Sequence, residues 1–400
     1  MLRRPLNAAS LGALLATALL LSGCSLFHSS NTKKKEEKAA EKPTVLVPLV
    51  NRIEIKSVWH VNEGGEKPVL RLGIDAAVDG QRVFLASYKG NVTAYDLASG
   101  KELWQHSVRA PLSAGPGAAD GLIIVGSSKG DVIALSEQDG TQRWRVRINA
   151  EILSAPAIGN GIVIVRAVDG RLHGLSARDG SENWVMDQQV PRLTLRGTSR
   201  PIIAGDVAIC GFDNGRIVAA ALGNGSTAWE SPVGQSHGST ELQRLIDVDA
   251  PVVADGEDLF AVAYQGRVAR MSRENGQIIW ARDLSSFRGL AVDENAVYVS
   301  TAEGDLVRLD RRTGVEQWRV KTLERRQLSA PTVYGGRVVV ADLGGFVHWF
   351  DAATGDPVAR YLIGKKIRVS NPMIVAGDLL LAFSDAGELI ALRAPALQAK

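Results

Sequence analysis

The stretch Gly121-Leu-Ile-Ile-Val-Gly-Ser-Ser-Lys-Gly-Asp-Val-Ile-Ala-Leu-Ser-Glu-Gln-Asp-Gly-Thr-Gln-Arg-Trp144 holds the architecture in miniature. It opens on an apolar run, turns at Lys129-Gly130, and resumes as Asp131-Val-Ile-Ala-Leu135. Short runs of this composition bounded by turn residues read as strands. Glycine at the turn supplies the positive φ that a tight hairpin requires. A second turn at Gly140 then leads into another strand that carries Trp144.

The unit repeats along the chain. Its first turn glycine recurs at Gly90, Gly130, Gly170, Gly215, Gly266, Gly304, Gly345 and Gly387, with spacings of 40, 40, 45, 51, 38, 41 and 42 residues. The Gly-x-x-x-Trp marker ends at Trp104, Trp144, Trp184, Trp229, Trp280 and Trp318, so six of the eight tryptophans share one position. An indole buries a large area, which predicts a ring of tryptophans where adjacent units pack. Segments such as Ser154-Ala155-Pro156 and Ser329-Ala330-Pro331 mark an inner strand ahead of two middle strands and the outer one. Four strands in each repeat of this length is the signature of a β-propeller.

Two units depart from the pattern. The seventh has Ala359 where tryptophan is expected, and the eighth stops after its third strand, near Glu388-Leu-Ile-Ala-Leu392. Ile53-Glu-Ile-Lys-Ser-Val-Trp59 lies ahead of the first complete unit and brings its own tryptophan. Pairing it with the last three strands closes the ring and removes the exposed edges. The expectation is an all-β, eight-bladed propeller over residues 49–400, with four-stranded blades and an N-terminal strand completing the last.

The N-terminus reads as an address. Arg3 and Arg4 precede an apolar stretch from about Ala8 to Leu21, which ends in Leu21-Ser22-Gly23-Cys24. That layout is a secretory signal, too short for a confident spanning helix, with small residues and a cysteine ordered as in a lipobox. Residues 1–23 are expected to be the signal and Cys24 the lipidated residue. By similarity to bacterial lipoproteins, Ser25 favours the outer membrane. Residues 24–48, which include Lys33-Lys34-Lys35-Glu36-Glu37-Lys38, read as a flexible tether.

Removing the signal leaves 44 basic and 43 acidic residues, a balance that gives no footprint of nucleic-acid binding. Cys210 is the second of two cysteines, so with Cys24 lipidated no disulfide forms, and its apolar run reads as core. His60, His106, His173, His237 and His348 are scattered, without the close spacing of a zinc site. The letters of Gly-x-Ser-x-Gly occur at Gly126-Ser-Ser-Lys-Gly130 and Gly234-Gln-Ser-His-Gly238, but neither lies between a strand and a helical pattern as a nucleophile elbow requires, and no phosphate loop occurs. No catalytic residue, metal or cofactor is expected.

The two long spacings place insertions after the third and fourth blades, over Met186–Gly197 and Gly234–Asp249. In the first, Leu193 and Leu195 alternate with polar residues beside Arg196. Large apolar groups next to an arginine suit an interface anchor. The other reading, two leucines tucked beneath a long loop, stands equal to it on composition.

The Gly-x-x-x-Trp repeat resembles that of the pyrroloquinoline-quinone dehydrogenases, eight-bladed enzymes with a vicinal disulfide over the quinone and a bound Ca²⁺. This chain has no adjacent cysteines. With the lipobox and the segments Leu193-Thr-Leu-Arg196 and Arg244-Leu-Ile-Asp-Val-Asp249, the chain more closely resembles the BamB family of lipoprotein propellers in outer-membrane barrel assembly. That resemblance implies a non-catalytic scaffold of the BAM complex on the periplasmic face of the outer membrane. It implies contact with the POTRA domains of BamA through Leu193, Leu195, Arg196, Asp247 and Asp249. It leaves room for nascent outer-membrane proteins to add to blade edges. A third reading, a glycan- or peptidoglycan-binding propeller, rests on fold analogy alone.

Overall fold

The middle strands explain why the chain becomes a ring. In Asp131–Ser136 every residue is buried, and Ile123, Ile124 and Val125 on its neighbour are fully so. A strand apolar on both faces needs cover on both faces, which a blade finds only between two other blades. The computed structural model describes residues 42–64, 73–191, 193, 199–234, 246–365 and 367–395, and among these no residue is helical. Cys24 and the signal lie outside the described residues.

Eight antiparallel sheets follow one another. Blade 1 runs Ala77–Asp79, Arg82–Ala86, Asn91–Asp96 and Glu102–Ser107, from inner to outer strand. Blades 2 to 7 repeat that order. Blade 8 takes Ile374–Ala376, Leu379–Phe383 and Glu388–Arg393 from the end of the chain and Lys56–Asn62 from its beginning. In that closure Trp59 sits opposite Ala391 and Val61 opposite Leu389, as expected of the ring. One strand was not expected: Gly73–Ile74 adds to the inner edge of blade 2, parallel to Ala114 and Gly115.

The tryptophans lie between blades. Trp144 on the outer strand of blade 2 donates its indole N–H to the Ala177 carbonyl of blade 3, 2.9 Å away. Its ring lies under the next blade's turn glycine: a Cβ on Gly180, where φ is +75°, would sit 2.6 Å from Trp144 Cε3. Seven indoles repeat this bond to the following blade, including Trp59 of blade 8 to Leu97 of blade 1. Each such contact joins a large apolar burial to a satisfied donor.

Candidate functional site

The insertion after blade 3 leaves the outer strand Glu182–Asp187 and rejoins the ring at the inner strand Ile202–Ala204. Leu193 is 44% exposed, so this leucine is not tucked beneath the loop. Leu195 and Arg196 lie outside the described residues.

The insertion after blade 4 comes back to the ring at Ile246. Ile246 and Val248 are buried, Val248 within the apolar cluster shared by blades 4 and 5. A Cβ on Gly211 would sit 2.5 Å from Val248 Cγ1, so glycine there is what lets the returning segment close on the blade. Alternation then turns Asp247 and Asp249 away from that cluster. Asp247 is 1% exposed, and its carbonyl accepts from the Tyr264 amide at 2.8 Å in an isolated β-bridge. Asp249 is half-buried.

The two carboxylates meet a third, Asp213: one oxygen from each of Asp213, Asp247 and Asp249 lies within 4.8 Å of the others. Three acids so close demand positive charge. Arg166, fully buried, supplies it from blade 3, with Nη2 3.2 Å from Asp213 Oδ1 and the guanidinium 4.4 Å above the Phe212 ring. Arg166 also donates to its neighbour's carbonyl at Ala167. Burial raises the Asp213 carboxyl above its ordinary range, and the Arg166 charge opposes that rise. The geometry resembles a cation site, but a guanidinium already holds one of its three acids. Its evident effect is to fix the returning end of the insertion to blades 3 and 4.

Sequence reasoning missed Arg166 and Asp213. A signal was present: Arg166 ends the otherwise apolar strand Ile162-Val-Ile-Val-Arg166, where a charge has no reason to be unless a partner waits. Cys210 on the neighbouring strand fits its expected role, since burial pushes the thiol up to about 12 and leaves it unreactive.

With this geometry in place, comparison with known proteins is direct. A family model described as outer membrane protein assembly factor BamB matches residues 54–112, 88–320 and 289–396. The outer membrane protein assembly factor BamB of Pseudomonas aeruginosa is 45% identical over 382 residues, covering 95% of this chain and 97% of that one. The crystal structure of BamB from Moraxella catarrhalis superimposes with a TM-score of 0.78 at 26% identity, covering 85% of this chain and all of that chain. A quinohemoprotein alcohol dehydrogenase from Comamonas testosteroni also superimposes, at a TM-score of 0.67 over 89% of this chain and 79% of its own, but at 12% identity it shares the fold alone. The chain belongs to the outer membrane protein assembly factor BamB family.

Proposed function

We propose that this protein is a lipid-anchored, non-catalytic scaffold of the BAM complex that assists assembly of outer-membrane β-barrel proteins by holding the POTRA domains of BamA. Family membership over nearly the whole chain supports the assembly role and association with the outer membrane. The anchor rests on the lipobox at Cys24, which would hold the ring on the periplasmic face.

The observation that carries the partner surface is Leu193, a large apolar side chain left 44% exposed on an insertion between blades. With Leu195 and Arg196 beside it in sequence, it forms an apolar anchor with an adjacent guanidinium, the composition that dominates binding energy at interfaces. Asp247 and Asp249, whose carboxylates are gathered with Asp213 behind the second insertion, position that loop. The surface is proposed as two insertions on neighbouring blades acting together.

The deciding experiment replaces Leu195 with Glu and Arg196 with Ala in the full chain and measures recovery of BamA. Loss of recovery with the melting temperature preserved supports the surface. Full recovery by a folded variant defeats it. For the dehydrogenase alternative, a titration of the quinone followed by absorbance, with Ca²⁺ present, is expected to show no uptake.

A further inference from the structure

The inner ends of the blades enclose a cavity of about 510 Å³ at the ring's centre, within the range of small-molecule sites. Seven blades contribute, among them blade 1 through Asp75, blade 4 through Arg200, blade 6 through Phe287 and blade 8 through Asn371. Asp249, the last residue of the second insertion, also lines the cavity, whereas Leu193 does not.

Four charged residues line this wall: Asp249 and Arg288 have partners within the protein, and Arg200 and Asp75 are the pair left to face a ligand. Arg200 is half-buried, and its guanidinium makes no hydrogen bond or ion pair with any described residue; the nearby Asp75 charge is felt only at longer range. A half-buried guanidinium with no acceptor from the protein is free to take one from a ligand. Asp75 is fixed rather than free: its Oδ1 accepts from the Ala76 amide at 2.8 Å, its amide donates to the Gly115 carbonyl at 3.1 Å, and Asn371 bonds its carboxyl. Asn371 in turn donates to the Ile74 carbonyl at 2.9 Å, tying the strand Gly73–Ile74 across the channel. Burial still raises the Asp75 carboxyl to about 6, despite the Ala76 amide and the Arg200 charge.

A third polar group is unspent. Inner-end serines of other blades have partners, as Ser113 with the Ile152 carbonyl at 2.7 Å, Ser199 with the Ala250 carbonyl at 3.1 Å and Ser370 with the Asp385 carboxylate at 2.7 Å. Ser154, at the equivalent place in blade 3 and in the cavity wall, is 4% exposed and its hydroxyl has no partner among the described residues. The wall also carries apolar side chains, Leu153, Pro156, Ile203 and Phe287 among them.

We propose that the central cavity binds a small zwitterion with an apolar body, an apolar α-amino acid or the ends of a very short peptide, its carboxylate on Arg200 and its ammonium on Asp75. Such a ligand supplies the acceptor that Arg200 lacks and the positive charge that a buried carboxylate favours. A simple anion would satisfy one charge and repel the other. A simple cation fails in the opposite sense.

The test is calorimetric titration of the full mature chain with four probes: L-phenylalanine, its N-acetyl derivative, its amide, and the dipeptide Phe-Phe. Phenylalanine or the dipeptide is expected to bind, and removing either charge should weaken binding about tenfold or more, the loss of one charge-assisted hydrogen bond. Tighter binding by the dipeptide assigns the site to peptide ends, and tighter binding by phenylalanine to a free amino acid. Arg200→Gln should abolish the heat with an unchanged melting temperature. Binding of the acetylated or the amidated probe as tightly as phenylalanine overturns the proposal, as does absence of binding by all four at millimolar concentrations. The probe series on the unaltered chain decides even if Arg200→Gln fails to fold. The Leu195→Glu, Arg196→Ala variant should bind phenylalanine unchanged, which separates this site from the BamA surface.

Discussion

Trp349 and Ala359 face each other across the third and fourth strands of blade 7, with tryptophan inside and the small residue outside. The order is inverted in blades 1, 2 and 8, where Ala94 faces Trp104, Ala134 faces Trp144 and Ala391 faces Trp59. The reason lies one blade further on. Each outer tryptophan rests on the turn glycine joining the third and fourth strands of the following blade. In blade 8 those two strands come from opposite ends of the chain, so no such turn exists to receive an indole at 359. Trp349, fully buried in the cluster with Leu380, Ala382 and Ile390 of blade 8, supplies the volume from the inner side.

Trp349→Ala should therefore cost about 3–5 kcal/mol, as for an indole cut from a closed core. Restoring the common pattern with Trp349→Ala plus Ala359→Trp should recover little of that, because the outer indole finds neither glycine nor turn carbonyl. Urea melts of the single and double variants measure it. Recovery of most of the stability by the double variant would refute this account of blade 7.

The ring closure makes a sharper demand on one glycine. Gly100 has φ of +69°, and a Cβ there would lie 2.7 Å from Trp59 Cδ2. Gly100→Ala combines a left-handed alanine with an indole that must shift. We expect about 2 kcal/mol of destabilisation or more. The same change at Gly80, also at positive φ but with nothing within 4 Å of its Cβ, should show only the backbone part. A melting temperature that falls equally in both variants would show that the contact with Trp59 adds nothing.

Acid should loosen the segment that leads into the ring. His348 is buried against Asp342, Arg326 and Arg360: its Nε2 lies 2.8 Å from Asp342 Oδ2, and its Nδ1 lies 3.2 Å from Arg360 Nε. Arg360 always donates, so Nδ1 accepts and the proton sits on Nε2, directed at Asp342. Arg360 also donates from Nη1 to the Val47 carbonyl at 2.9 Å, holding the leading segment on blade 7. Burial lowers the His348 pKa below its usual 6.5, although Asp342 pulls it the other way. Asp342 itself is held at about 2, because bonds from His348 and Arg326 override the upward push of its burial.

The sign follows by linkage. Lowered in the folded state, His348 contributes stability that is present above pH 6.5 and lost as pH falls through 6.5 toward its folded value. Asp342 contributes a second loss only at lower pH, between 3.8 and about 2. His348→Gln should flatten the upper window, whose slope cannot exceed about 1.4 kcal/mol per pH unit for one proton. Chemical denaturation at pH 7, 6 and 5 checks this, and an unchanged slope in the variant would assign the acid sensitivity elsewhere.

These features differ in how visible they are in sequence. The ring of tryptophans was legible because each indole and its glycine recur at fixed spacing, and the contact lies between adjacent repeats. The closure by Ile53–Trp59 was legible because a missing outer strand at one end matches a spare one at the other. Trp349 was not, since its position answers to a chain break in the next blade and not to its own repeat. Arg166 and Asp213 are 47 residues apart, and only the packing of blade 3 on blade 4 brings them together. Asp75, Arg200 and Asn371 face one cavity because the ring's axis gathers inner ends from distant repeats, and no local spacing records that convergence.

The proposed partner surface assigns one side chain to contact and another to positioning. Leu193 is exposed, so Leu193→Glu should leave stability within about 0.5 kcal/mol of the parent while lowering BamA affinity at least about tenfold. Asp247 is buried beside Asp213, so Asp247→Ala should first cost about 1–3 kcal/mol through the broken polar contacts. Its effect on BamA should follow from the displaced loop and be milder than that of Leu193→Glu. Melting curves paired with titration of the isolated POTRA domains distinguish the two roles. Should Asp247→Ala abolish binding with its melting temperature intact, Asp247 would have to swing out and meet BamA directly. The buried β-bridge between Asp247 and Tyr264 would then be a state that the partner opens.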